Sequence, residues 1–248
     1  MTEGILVSRH AYWREQGEKH EPCCTSGGNV MDEKLRKKYL RCRPVNIRRE
    51  IEEVRLKEDL PRYVALAKEL GATDAAIVDR DGWFIDQRVT LKCTVPRCPS
   101  YGTCGNCPPH SFSAAEMAPI IDTYRTGILL RWEYASEPSC EEGTLLRKSV
   151  FIALADLEAA AFYDGYYLAC GFSTGSCRRA LCNGSPCQEI TDPIKGCRFP
   201  LLARPSMEAV GFDVYRTAAA AGWTLHPAGS HCPDEVPSLS RMAILLVA

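Results

Sequence analysis

The stretch SAAEMAPIIDTYRTGILLRWEY, Ser113 to Tyr134, holds two elements whose succession decides the fold. Ser113 and Glu116 stand at capping-box spacing: the hydroxyl takes an amide of the first helical turn and the carboxylate reaches back to the cap amide. A helix is therefore predicted through Ile120-Ile121-Asp122-Thr123-Tyr124-Arg125. GILLRWEY, 127–134, then reads as a strand, because branched and aromatic side chains suit a pleated, buried surface.

Upstream, Asp59 is placed as the cap of a helix through PRYVALAKELG, with Val64, Leu66, Ala67 and Leu70 as its apolar stripe and Gly71 as its stop. Ala75–Asp79, the turn Arg80-Asp81-Gly82 and Trp83–Lys92 read as a β-hairpin. Downstream, a long helix is predicted over about Gly143–Leu168, apolar at Leu146, Val150, Ile152, Ala153 and Leu157. Its aromatics Phe151, Phe162, Tyr163, Tyr166 and Tyr167 are assigned to the core. ARPSMEAVG and FDVYRTAAAAG read as short helices closed by Gly211 and Gly222, and RMAILLVA as a buried strand. This alternation predicts an α/β or α+β fold: a mixed sheet with flanking helices and two cysteine-rich metal-binding loops. Residues 1–50 are polar and lack sustained periodicity, which predicts a poorly ordered N-terminal extension ahead of a cysteine-rich metal-binding domain over 51–248. Met31, which opens the more regular segment MDEKLRKKYLRC, is a second candidate start.

The 30 basic and 31 acidic residues leave a formal charge of −1, so no global field draws the chain to nucleic acid or to an anionic membrane. The opening MTEGILVSRHAYWREQGEKHEP lacks the uninterrupted apolar core of a secretory signal. The most apolar long segment, VFIALADLEAAAFY, contains Asp156 and Glu158 and is too short to span a bilayer. A cytoplasmic location is expected. There thiols stay reduced, and the 14 cysteines point to metal or redox chemistry in preference to disulfides.

Eight of them form two runs. KCTVPRCPSYGTCGNCPPH carries Cys93, Cys98, Cys104 and Cys107 among prolines and glycines, in loops suited to wrapping a small object. Amides of Gly102 and Gly105 are candidates to hydrogen-bond to sulfur. GFSTGSCRRALCNGSPCQEITDPIKGCRFP carries Cys177, Cys182, Cys187 and Cys197, with Arg178, Arg179 and Arg198 to offset thiolate charge; Cys170 is read at the end of the long helix. Thiolates bind zinc or complete the coordination of iron in a cluster. Only Cys104 and Cys107 have the spacing of a zinc knuckle, which leans the reading to iron–sulfur, with zinc as the alternative.

The helix ending KELGA, the segments CPSYG, CPPH and FYDGYYLACGF, and CRFPLLARPSMEAVGFDVYRT together resemble the family of domain of unknown function 2284, whose members are catalogued as predicted metal-binding proteins. The resemblance runs from about Leu60 to the C-terminus and leaves the first fifty residues outside. It implies Cys93, Cys98, Cys107, Cys177, Cys182, Cys187 and Cys197 as ligands, with Cys104 and Cys170 less typical, and it implies no particular reaction.

The expected function is an iron–sulfur protein, with one or two 4Fe-4S clusters, acting in electron transfer with a redox partner protein or as a redox accessory protein. Two alternatives are a zinc-stabilised binding or adaptor module and an enzyme with an open cluster site, in which Asp164, Tyr166, His110 and Glu208 are the acid and base candidates. No glycine-rich nucleotide loop is present in the sequence, and nothing in it signals an oligomeric state.

Overall fold

The structure, a computed structural model, describes residues 53–134, 140–226 and 238–248. The predicted extension over 1–50, and Met31 within it, lie outside the described residues.

Helix α1, Glu53–Glu69, is already formed well before Asp59. Asp59 is not its cap. Its carboxylate instead serves as a hub inside the helix, pairing with Arg55 one turn back and Arg62 one turn on and accepting the Tyr166 hydroxyl at 3.0 Å. The predicted stop holds: Gly71, at φ +98°, donates to Lys68 O, and Ala72 donates to Ala67 O, which is a Schellman closure.

Strand β1, Asp74–Asp79, pairs antiparallel with β2, Thr126–Tyr134, and not with the segment after the turn. The hairpin expected from Trp83–Lys92 is therefore corrected. Arg80–Gly82 forms a 3-10 turn, Trp83 is fully buried beneath the sheet, and Asp86 accepts the Arg88 amide to start α2, Gln87–Leu91. Trp83 and Ile85, which mimic a strand here, pack into the core ahead of a capped helix.

The capping box forms as read: Ser113 and Glu116 exchange hydrogen bonds at the start of α3, Ala114–Ile121. Helix α4, Cys140–Tyr163, is followed by β3, Cys170–Phe172. Short helices α5, Cys177–Leu181, and α6, Gln188–Thr191, lie within the second cysteine run. The helix expected over ARPSMEAVG is only a 3-10 turn, Glu208–Val210; α7, Val214–Ala220, forms as expected, and Gly211 and Gly222 close the two at positive φ. The terminal strand β4, Leu239–Leu246, lies between β2 and β3.

The result is an α+β fold on a four-stranded antiparallel sheet ordered β1-β2-β4-β3. Side chains alternate across it, as strand geometry requires. Ile128, Leu130, Trp132, Ala243, Leu245 and Val247 face a core shared with α1 and α4. Leu129, Met242, Ile244 and Leu246 face Met117, Ile121, Phe212 and Val214 on the other side. Both faces are covered, which explains why RMAILLVA is apolar almost without interruption. Among the described residues no helix is long and apolar enough to cross a membrane.

This frame fixes the ends of the second cysteine loop. Ser173 accepts the Met207 amide at 2.9 Å and donates its own to Pro205 O at 2.8 Å, closing the neck. Glu158, on α4, clamps both sides of it, accepting the Gly171 amide at 2.8 Å and pairing with Arg204.

Candidate metal centre

Cys177, Cys182, Cys187 and Cys197 all line one cavity of about 310 Å³. Asn183, Gly184 and Gly196, at positive φ, turn the loop between them, and Gly175 turns the chain ahead of Cys177. Cys177 and Cys182 bracket α5, which packs on α4, and Cys187 begins α6. The remaining wall comes from the first run, since Gly105 and Asn106 also line the cavity. The two cysteine loops, far apart in sequence, thus build one site.

The thiols are supplied with hydrogen-bond donors one by one. The Gly105 amide donates to Cys187 Sγ at 3.4 Å, Asn106 Nδ2 to Cys177 Sγ at 3.5 Å, and the Phe199 amide to Cys197 Sγ at 3.4 Å. The Arg198 guanidinium faces Cys182 and favours its ionised form. Gly105 acts as expected, though on a sulfur of the other run; the Gly102 amide is instead taken by Pro108 O at 2.8 Å. Sequence reasoning did not find Asn106, because an asparagine beside a cysteine carries no signal until its partner loop is in place.

Burial pushes the thiols of Cys182 and Cys197 above their usual range, against the pull of Arg198 and of the Phe199 amide respectively. Burial likewise raises Cys93, with the Cys98 and Glu208 charges adding to it. Burial thus disfavours the ionised form of Cys182 and Cys197, and a bound metal would exchange for their protons.

The first-run thiols are placed less uniformly. Cys104 is fully buried, its Sγ 3.3 Å from Cys177 Sγ. Hydrogen bonding with the flanking thiols of Cys107 and Cys177 pulls Cys104 down and pushes those two up. Cys104, Cys107 and Cys177 pack with Phe151, Ala180 and Leu181 in a small apolar cluster. Cys93 and Cys98 are half-buried on the turn after α2. Cys170, read as the end of the long helix, is corrected: α4 ends at Tyr163, closed by Gly165 at φ +107°, and Cys170 sits in β3 opposite Leu246. Its thiol is pushed up to about 11 by burial and the nearby Glu158 carboxylate, and it does not line the cavity.

The acid and base candidates are dispersed. Asp164 accepts the Tyr63 hydroxyl at 3.1 Å and pairs with Arg62, and Tyr166 donates to Asp59. This network ties α1 to the end of α4. His110 is exposed, and Glu208, whose carboxyl burial pushes upward, lies towards Cys93. None of the four lines the cavity.

Residues 76–247 match the profile of a family described as "Predicted metal-binding protein (DUF2284)". The chain belongs to this family. The DUF2284 span covers both cysteine runs and nearly all of the sheet. The description names neither a metal nor a reaction. Comparison with curated proteins and with solved structures finds no match.

The residues fit a metal–thiolate group. Four sulfurs surround the space, and Arg178 lines it with a buried Nε that has no partner in the protein. Among the described residues no three His, Cys, Asp or Glu side chains are grouped so as to hold a single metal ion.

Proposed function

We propose that this protein is an iron–sulfur electron carrier, with a 4Fe-4S cluster held by Cys177, Cys182, Cys187 and Cys197. The observation that carries the reading is the cavity itself: four thiols line it, three accept an N–H donor and the fourth faces an arginine. Such donors are the means by which a protein stabilises and tunes cluster sulfurs. A tetrahedral zinc site, with Zn–S near 2.3 Å, brings its sulfurs to within about 3.8 Å of one another. A cavity of about 310 Å³ suits a polynuclear group better.

Such a cluster supplies one-electron chemistry when bound. The chain's own residues do the rest. Asn106, Gly105 and Phe199 orient the thiolates, Arg178 and Arg198 offset their charge, and Leu181, Phe199 and Ala203 keep water from one side. Cys93, Cys98, Cys104 and Cys107 are the candidate ligands of a second cluster. We place the carrier in the cytoplasm, where the thiols remain reduced until loaded.

Anaerobically purified protein should be brown and should develop an EPR signal on reduction with dithionite. A colourless protein with stoichiometric zinc would sink this reading and favour an adaptor module.

A further inference from the structure

We propose that α2, the turn after it and the adjoining Phe112 form the docking face for an acidic one-electron carrier protein; this rests on the electron-transfer reading above. Three large apolar side chains are conspicuously exposed there: Leu91 at 56%, Val95 at 63% and Phe112 at 56%. Leu91 and Val95 share one turn, Val95 N donating to Leu91 O at 3.0 Å. Phe112 directly precedes the cap of α3, and α3 packs against α2.

Around these residues the charge is mostly basic: Asp86 pairs with Arg88 and Asp213 lies near it, and Lys92 and Arg97 add two further exposed cations. From Gln87 to Phe112 the sequence contains Arg88, Lys92 and Arg97 and no aspartate or glutamate, in a chain whose net charge is −1. All three cations are exposed. Arg88 stays 87% exposed even while paired with Asp86, and Arg97 is held with its guanidinium 5.2 Å from the Tyr101 ring centroid. An apolar centre with a mainly basic rim is the anatomy of a transient interface, and the excess of positive charge selects an acidic partner and steers the encounter.

The same turn carries Cys93 and Cys98, which are half-buried whereas Cys104 and Cys107 are buried. A carrier seated on Leu91 and Val95 therefore meets the thiols of the first run that lie nearest the surface. Residues 1–52 of this chain contain more lysine and arginine than aspartate and glutamate, so that segment does not complement the face.

The test uses the full, metal-loaded chain and three probes: an acidic plant-type ferredoxin, an acidic flavodoxin and a basic c-type cytochrome. Calorimetric titration should show at least one acidic carrier binding at low salt and weakening at least tenfold as salt screens the contact, with the cytochrome not binding. Arg88→Glu/Lys92→Glu/Arg97→Glu should weaken it tenfold or more, and Val95→Ser severalfold, with metal content and circular dichroism unchanged. If the triple variant fails to fold, Lys92→Glu alone should still weaken binding. If neither acidic carrier binds, the proposal is overturned, as it is by indifference to charge reversal. Self-association abolished by Leu91→Ser would assign the face to a second copy and overturn it as well. Binding without electron exchange would refute the electron-transfer reading and leave the docking face standing. Exchange that survives charge reversal with unchanged binding would do the opposite.

Discussion

Gly105 is where the two cysteine loops touch, and replacing it by alanine tests that contact. A Cβ at this position would stand 2.8 Å from Cγ and 3.1 Å from Cβ of Glu189, and 3.9 Å from Cys187 Sγ. Carbon atoms rest at about 3.5 Å or more, so the nearest approach is short by roughly 0.7 Å. Gly105 is not at positive φ, so the cost is collision and not backbone strain. Glu189 lies in α6, whose N-cap is Cys187; relieving the clash moves the helix, and with it Cys187, away from the Gly105 amide. Overpacking of this kind costs about 1–3 kcal/mol. At about 2–4 °C per kcal/mol for a chain of this size, the melting temperature of the Gly105→Ala variant should fall by roughly 2–12 °C. Metal content should fall with it. Glu189→Ala in the same chain removes the 2.8 Å contact and keeps the 3.1 Å one, so it should restore part of both losses. Anaerobic thermal melts and metal analysis of the wild type, single and double variants make the comparison. A single variant indistinguishable from wild type, or a double variant no better than the single, would show that the loops do not meet as described.

Cys182→Ser and Cys187→Ser should each deplete the metal, whereas Cys170→Ser, outside the cavity, should leave it unchanged by elemental analysis; equal loss at all three would refute the placement. Glu158→Ala leaves Arg204, whose side chain is 16% exposed, without its carboxylate and opens the loop neck. Removing one partner of such a buried pair costs about 3 kcal/mol or more, which chemical denaturation should show as a lowered midpoint. Asn106→Ala removes the donor to Cys177 Sγ. That donor favours the form with more negative charge, so its loss should lower the reduction potential. If the two redox states differ by about 1 kcal/mol in this bond, the drop is roughly 40 mV in a one-electron titration; an unchanged or raised value contradicts the hydrogen bond's role.

What the sequence discloses here is what is local. The Ser113–Glu116 box, the stop at Gly71 and the apolar run of β4 each depend on a few neighbouring residues, and each is found where expected. Trp83 and Ile85 mislead because burial under a sheet and membership of a sheet select the same side chains. The end of α4 was legible in principle, since Asp164-Gly165 precedes a glycine closure in which Tyr166 N donates to Ala161 O. The thiols announce themselves by type and spacing. Their donors do not: Asn106 and Gly105 serve sulfurs of the other loop, and Glu158 acts on the loop neck from α4. Such pairings follow from the packing of distant segments, which spacing along the chain does not encode.

The most direct measurement is a count of iron and acid-labile sulfide per chain in anaerobically purified protein. A single cluster in the cavity gives about four of each, and a second in the first run about eight. Replacing all of Cys177, Cys182, Cys187 and Cys197 by serine should remove about four of each. Zinc in place of iron, or iron that survives loss of those four thiols undiminished, would contradict the account.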